Sequence, residues 1–159
     1  HVKEREQLLP VPFYQSTAYR RFPCRKHPNK YDKVIVDAQC THDGSIKHIQ
    51  KADSATWSTL RHQFTKFELD KLYDLQFKLL RNGYEMCRPG GTVIYSTCSF
   101  SIHQNEDIVH RLLQEYPQAQ LCPITVPNLF NTPVDYLRVD PRQHDCGFLF
   151  IAKIIKGHE

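Results

Sequence analysis

The sequence predicts an α/β fold built on a mostly parallel sheet. Two apolar stretches rich in β-branched residues, Tyr31–Cys40 and Pro89–Ser99, have the composition of buried strands. Between them, apolar residues recur at helical spacing over Lys66–Cys87, at Leu69, Leu72, Leu75, Leu79, Gly83 and Met86. A strand, a helix and a second strand in succession form a crossover unit, in which the strands are parallel and the connection is right-handed. We therefore expect Lys33–Asp37 and Thr92–Tyr95 to lie side by side.

The composition is that of one soluble domain. A chain of 159 residues with 40% hydrophobic and 24% charged residues can bury a substantial core. The net charge of +4, from 21 basic and 17 acidic residues, permits a nucleic acid partner without requiring one. No apolar run reaches transmembrane length, and no signal peptide is recognisable. The six cysteines form no CxxC pair, which predicts reduced thiols and an intracellular protein.

The segments around the first strand are basic and interrupted by proline. Leu8–Tyr14 is a weak strand candidate because its two prolines cannot donate to a ladder. Ser16–Lys30 is either a solvated connection or a contact with phosphate. Thr41–Thr65 is long for a loop, and its basic residues around Trp57 suit a nucleic acid backbone and a stacked base. A short helix that packs Trp57 on the core is the alternative.

The chain after the second strand alternates between regular and irregular segments. Ser101–Gln104 fits a capping box and predicts a helix that continues to about Tyr116. Ala119–Val126 has the pattern of one short strand, and Asn128–Asp145, with its prolines, that of irregular structure. Gly147–Ile155 is a continuous apolar run that predicts a fully buried strand.

Two cysteines follow the two central strands. Parallel strands share a carboxyl edge and stand ~4.8 Å apart, so Cys40 and Cys98 are predicted to meet over one crevice, with Asp37 beside them. A cysteine at a strand end is commonly a small core residue, but polar residues surround Cys98. The predicted helix start after Ser101 would help to hold a thiolate.

The motifs at these strand ends resemble those of the Sun/Fmu-type (RsmB/NOP-like) RNA 5-methylcytosine methyltransferases. The fourth motif of that family, Asp-Ala-Pro-Cys, corresponds to Asp37–Cys40, and its sixth motif corresponds to Gly90–Ser99. An Asn-Glu pair follows at 105–106, and Asp145–Lys153 is similar to the family's last strand. The resemblance covers residues 31–155.

The resemblance implies a Rossmann-like methyltransferase sheet with an antiparallel last strand, S-adenosylmethionine as cofactor, and tRNA or rRNA as partner. Carbon 5 of cytosine is a weak nucleophile, and a thiolate that adds at carbon 6 activates it. By resemblance, Cys98 is the nucleophile and Cys40 assists its release. Asp37 contacts the ring edge or the cofactor.

The chain departs from the family pattern at several points. Gln39 replaces the proline of the fourth motif, which loosens the turn before Cys40. No glycine-rich Ala-Pro-Gly-Gly-Lys-Thr-like first motif occurs, the ribose-binding acid of the second strand is missing, and Ser16–Tyr19 lacks the aspartate that contacts adenine. Residues 1–159 are therefore expected to form a partial catalytic domain, from about the third strand onward. Alone, they should be inactive.

The favoured function is an RNA cytosine-5 methyltransferase. The alternative is a non-catalytic RNA-binding or scaffolding relative without the cofactor loop. A methyltransferase for another substrate is disfavoured because paired cysteines serve no purpose in amine methylation. A thiol hydrolase would need a His–Asn pair beside Cys98. Zinc binding at Cys40, His42 and His48 is not expected, because no second ligand pair has finger-like spacing.

Overall fold

The computed structural model describes three stretches of the chain: residues 31–45, 65–127 and 130–158. The predictions made for Leu8–Tyr14, Ser16–Lys30, His48 and Trp57 lie outside these residues. The described elements are β1 (Tyr31–Asp37), α1 (Lys66–Met86), β2 (Cys87–Thr97), a 3₁₀ turn (Ile102–Gln104), α2 (Glu106–Glu115), β3 (Gln120–Cys122), β4 (Ile124–Val126), β5 (Phe130–Val134), β6 (Tyr136–Val139) and β7 (Leu149–Ile155).

The predicted strand–helix–strand unit is confirmed. β1 and β2 pair in parallel, with Asp37 opposite Ser96 at their carboxyl ends, and α1 lies between them in the chain. β2 is longer than predicted and begins at Cys87. Its first part leaves the regular register at a bulge, where Gly90 adopts a left-handed φ of 72° that favours glycine. The bulge ends before the last residues of the strand, so it leaves the carboxyl edge regular.

The buried face of α1 is rotated from the one that the leucine spacing predicts. Leu69, Leu75 and Leu79 are only partly buried. The helix packs closely on β1 at Gly83, which has no side chain. A Cβ atom at this position would lie 2.5 Å from Cγ2 of Val36. Bulkier aromatic and polar side chains complete the contact. The buried residues of α1 are Leu72, Gln76, Phe77, Leu80, Gly83 and Tyr84.

The capping box lies at α1 and not at α2. The Thr65 side chain accepts a hydrogen bond from the Glu68 amide, and the Glu68 carboxylate accepts one from the Thr65 amide, at 2.8 Å. The box predicted at Ser101–Gln104 is wrong, because Ser101 makes no side-chain cap and the segment forms a 3₁₀ turn. The α-helix begins only at Glu106. The Gln104 side chain instead forms hydrogen bonds with Thr41 and Gln76.

The sheet is mixed. Its strand order is β1-β2-β7-β3, and β6 also pairs with β7. β7 is antiparallel to β2, β3 and β6, which confirms the predicted orientation of the last strand. Among the described residues β1 and β2 are the one pair of parallel strands that are directly paired, but β1, β2, β3 and β6 all run in the same direction, because β2, β3 and β6 are each antiparallel to β7. The expected common direction of most strands is therefore found, with β7 as the exception. β7 lies between β2 and β3, and α2 connects these two strands in the chain.

The segment 119–145 contains more strand than predicted. Ala119–Val126 is divided at Pro123 into β3 and β4, which belong to different sheets. The prediction of irregular structure over Asn128–Asp145 is wrong in part, because β5 and β6 lie within it. β4 and β5 form a separate two-stranded sheet, so the proline of β5 at position 133 stands in an edge strand that lacks a second neighbour. Proline alone therefore did not exclude a strand.

The core lies between the sheet and the two helices. β7 contributes alternate residues, and Phe150, Ala152 and Ile154 are buried whereas Leu149 is 36% exposed. The prediction of a fully buried last strand is wrong, because one face of β7 is only partly covered. None of the described helices is long and apolar enough to cross a membrane.

Candidate active site

Two thiols meet at the carboxyl edge of the parallel pair. Cys40 follows β1 and is buried, and Cys98 follows β2 and is partly buried. The pairing of the strands continues past β1, because the Ala38 amide donates to the Ser96 carbonyl at 3.0 Å. The two segments therefore leave the sheet together. The Sγ atoms of Cys40 and Cys98 stand 3.3 Å apart.

A histidine completes the cluster. Nδ1 of His42 lies 3.2 Å from Sγ of Cys98 and 3.7 Å from Sγ of Cys40. His42 is the one described non-glycine residue with positive φ, at 57°, a conformation in which histidine is enriched over most residues. The hydrogen bond from the Ser45 amide to the His42 carbonyl closes this turn at 3.0 Å. The sequence pattern indicated His42 only as a zinc ligand beside His48 and gave no sign of its contact with Cys98.

The thiol of Cys98 is held in its neutral form. Burial raises its pKa to about 12, and the hydrogen bond with Cys40 contributes to the increase. The expected stabilisation of a thiolate by a helix start after Ser101 is therefore not the dominant effect, because burial governs the pKa and α2 begins at Glu106. Nucleophilic attack by Cys98 requires the removal of its proton.

Asp37 lies on the same edge of the sheet as the thiols. It is the last residue of β1 and is exposed. Its Oδ1 accepts a hydrogen bond from the hydroxyl of Ser96 at 2.9 Å, so the neighbouring strand orients the carboxylate. An oriented acceptor at the carboxyl edge of a parallel pair is suited to bind a polar group of a ligand in the crevice.

The turn that carries Cys40 is held from the side by two glutamines. Gln104 accepts the Thr41 amide at 3.0 Å and donates to the Thr41 hydroxyl at 2.9 Å. Gln76 donates to the Gln39 carbonyl at 2.7 Å and to Oε1 of Gln104 at 3.2 Å. These bonds constrain the turn although Gln39 replaces the family's proline. No local sequence signal identified this role of Gln76 or of Gln104, because both act over a long separation in the chain.

The segment that carries Cys98 is fixed by Asn105. The Thr97 hydroxyl donates to Oδ1 of Asn105 at 2.5 Å, and Nδ2 of Asn105 donates to the Ser99 carbonyl at 2.7 Å. All three residues are buried. The polar residues around Cys98, noted in the sequence, therefore form a closed network that sets the position of the thiol.

Gly44 fits closely against the segment that carries Cys98. Its amide donates to the Cys98 carbonyl at 2.9 Å, and its carbonyl accepts the Phe148 amide at 3.0 Å. A Cβ atom at this position would lie 2.5 Å from the Cys98 carbonyl oxygen and 2.6 Å from Cβ of Phe148. Neither atom can move without moving a strand end, so the position requires glycine.

We expect Gly44→Ala to destabilise the protein by ~1–3 kcal/mol through overpacking, and to displace the Cys98 thiol. Chemical denaturation measures the first effect, and the rate of Cys98 alkylation in the folded protein measures the second. Gly90→Ala is the control for the alkylation measurement, because it strains a left-handed turn far from the thiols. Unchanged stability and unchanged Cys98 alkylation in Gly44→Ala would contradict the prediction.

The chain matches one family along most of its length. The sequence profile described as 16S rRNA methyltransferase RsmB/F matches residues 11–155. The ribosomal RNA small subunit methyltransferase F of Klebsiella pneumoniae (strain 342) is 31% identical over 136 residues, which are 81% of this chain and 26% of that protein. The chain thus spans about a quarter of the length of this relative.

Solved structures share the fold. The crystal structure of PH0851 has a TM-score of 0.67 at 27% identity and matches 83% of this chain and 29% of its own. The structure of NSun6 from Pyrococcus horikoshii with SFG has a TM-score of 0.59 at 24% identity and matches 82% of this chain and 31% of its own. Both structures match this chain over less than a third of their own length.

Proposed function

The chain belongs to the 16S rRNA methyltransferase RsmB/F family, and from this membership we propose that the protein methylates carbon 5 of a cytosine in RNA, with S-adenosylmethionine as the methyl donor. The observation that carries the proposal is the pair of thiols, with Sγ atoms 3.3 Å apart, where two parallel strands end. One thiol suffices to form a bond to the base. A second thiol at the same place suits a reaction that must also break that bond.

The chemistry assigns Cys98 the attack. Nδ1 of His42, 3.2 Å from Sγ of Cys98, is positioned to accept the thiol proton. The thiolate then adds to carbon 6 and converts the ring to an enamine, whose carbon 5 is nucleophilic. When bound, S-adenosylmethionine supplies a methyl group on an electrophilic sulfonium. A base next removes the carbon 5 proton, and the electron pair that is released expels Cys98 as the thiolate. We assign Cys40 to this release.

The surroundings of the thiols suit an unpaired base. Asp37 is proposed to hold nitrogen 3 of the ring or the edge of the cofactor, because its carboxylate is exposed and oriented by Ser96. The Phe100 ring is 46% exposed and packs on Phe148 with ring centroids 4.4 Å apart. An exposed aromatic ring two residues after Cys98 in the chain suits base stacking. A base paired within an RNA helix would have to leave its stack to reach Cys98.

We expect the isolated 159-residue chain to bind S-adenosylmethionine weakly or not at all. Asp37 is the one residue proposed for the cofactor edge, and no glycine-rich first motif occurs in the sequence. Calorimetric titration of the isolated chain with the cofactor tests this expectation. Tight binding would contradict it and would require a cofactor site built from other residues of the chain.

The function is tested with the full-length protein and RNA that carries cytidines as its methyl acceptors. We expect transfer of a labelled methyl group from S-adenosylmethionine, with 5-methylcytidine as the labelled nucleoside after digestion. RNA of the same length with uridine in place of cytidine is the control. Binding of RNA without transfer would instead favour the non-catalytic alternative. Label on another nucleoside would overturn the assignment of the substrate.

A further inference from the structure

We propose that Cys40, His42 and Cys98 form a three-ligand site for Zn²⁺, and that the bound ion prevents the thiols from reacting. The Sγ, Nδ1 and Sγ atoms all lie within 4.8 Å of one another. Thiolate sulfur and imidazole nitrogen are the ligands that zinc prefers in proteins. The sequence predicts no metal here because no second ligand pair has finger-like spacing, but the structure brings Cys98, from a distant part of the chain, beside Cys40 and His42.

The ligand atoms have the spacing of a tetrahedral site. With bonds of ~2.3 Å to sulfur and ~2.0 Å to nitrogen, tetrahedral angles separate the ligand atoms by ~3.5–3.8 Å. The three separations in this cluster are 3.3 Å between the sulfurs, and 3.2 and 3.7 Å from Nδ1 to the sulfurs of Cys98 and Cys40. An ion slightly outside the plane of the three atoms reaches all of them after shifts of a few tenths of an ångström.

The backbone holds each ligand before the ion arrives. Cys40 lies in the turn that Gln76 and Gln104 hold, and the Cys98 carbonyl accepts a hydrogen bond from the Gly44 amide at 2.9 Å. His42 is aimed at the thiols by its left-handed conformation, with φ of 57°. Because these contacts already order the three ligands in the folded chain, metal binding costs little further conformational entropy.

The charges balance when the ion binds. Each thiol loses its proton to solvent on binding, so that two thiolates neutralise the two positive charges of the ion. His42 binds as the neutral imidazole through Nδ1. Among the described residues no fourth ligand joins the cluster, which leaves one position for water or a small anion. Because both thiols are then metal ligands, the ion is an inhibitor of the proposed reaction and not its cofactor.

The test measures metal binding directly on the full-length protein, kept reduced with a phosphine and freed of metal with a chelator. Zn²⁺ is titrated in competition with a chromophoric chelator, and Co²⁺ is used as a spectroscopic substitute. We expect one Zn²⁺ per chain, and intense visible Co²⁺ bands together with a thiolate-to-cobalt charge-transfer band. Cys40→Ser, Cys98→Ser and His42→Gln should each weaken this binding by ~100-fold or more, above the ~10–100-fold typical of outer-shell changes.

Cys122→Ser is the matched control, because Cys122 is a free, partly buried thiol on β3. It should bind Zn²⁺ like the unaltered protein. Equal binding by Cys40→Ser, Cys98→Ser and the unaltered protein would overturn the proposal, as would full affinity in His42→Gln. The prediction that zinc inhibits methylation depends on the proposed function, whereas the prediction that zinc binds does not. Zinc binding by a protein that does not methylate RNA even when it is free of metal would refute the function alone, and methylation by a protein that lacks this zinc site would refute the inference alone.

Discussion

Cys98→Ala in the full-length protein should abolish RNA methylation and leave no RNA covalently attached. The thiolate of Cys98 makes the bond to carbon 6 in the proposed reaction, and without it carbon 5 is not nucleophilic. We expect the rate to fall by ~10³-fold or more, as when a covalent nucleophile is removed. Methyl transfer to RNA and denaturing electrophoresis of the protein with its RNA measure the two effects.

The loss should not result from unfolding. Cys98 is only partly buried, and its replacement by alanine removes one sulfur, which costs ~1 kcal/mol in a core site. The backbone bonds of Cys98 and the Asn105 network remain. Denaturation curves check this, and Cys122→Ser should retain full activity. Methylation at the unaltered rate by Cys98→Ala would exclude Cys98 as the nucleophile.

The central unit of the fold was predictable because its signals are local. β1, α1 and β2 each show their own periodicity over consecutive residues, and the connection rules then leave one arrangement of the strands. That arrangement brings Cys40 and Cys98 to a common edge without any long-range information. The proximity of Cys40 and Cys98 could therefore be predicted from the strand–helix–strand unit alone.

The predicted start of α2 is wrong because residues with the spacing of a capping box can form other hydrogen bonds instead. Ser101 and Gln104 have the spacing of a capping box, but the Gln104 side chain bonds to Thr41 and Gln76. These bonds form across the fold and leave no mark on the local pattern. The helix therefore starts two residues after Gln104, and its first turn contains Glu106, which pairs with Arg138 at 2.7 Å.

The role of His42 could have been found only in part. Its position two residues after Cys40 was visible, but its contact with Cys98 depends on a left-handed backbone. Few residue types favour that conformation strongly enough to predict it. A Thr-His-Asp-Gly sequence after a strand indicates a tight turn, and Gly44 marks the place where that turn meets the second strand.

Cys40→Ala should leave RNA covalently attached to Cys98 on a denaturing gel, with little methylated product released. In the proposed order of steps, Cys98 makes the bond to carbon 6 and Cys40 assists its cleavage. Removing Cys40 therefore stops the reaction after the bond has formed.

The trapped species should need both the thiol of Cys98 and a cytosine in the RNA. Cys40→Ala combined with Cys98→Ala should trap nothing, and uridine-substituted RNA should not be trapped by Cys40→Ala. The Gln76 and Gln104 bonds to the backbone of the turn do not involve the Cys40 side chain, so the turn should persist in the variant. If Cys98→Ala accumulates the adduct and Cys40→Ala does not, the two roles are reversed.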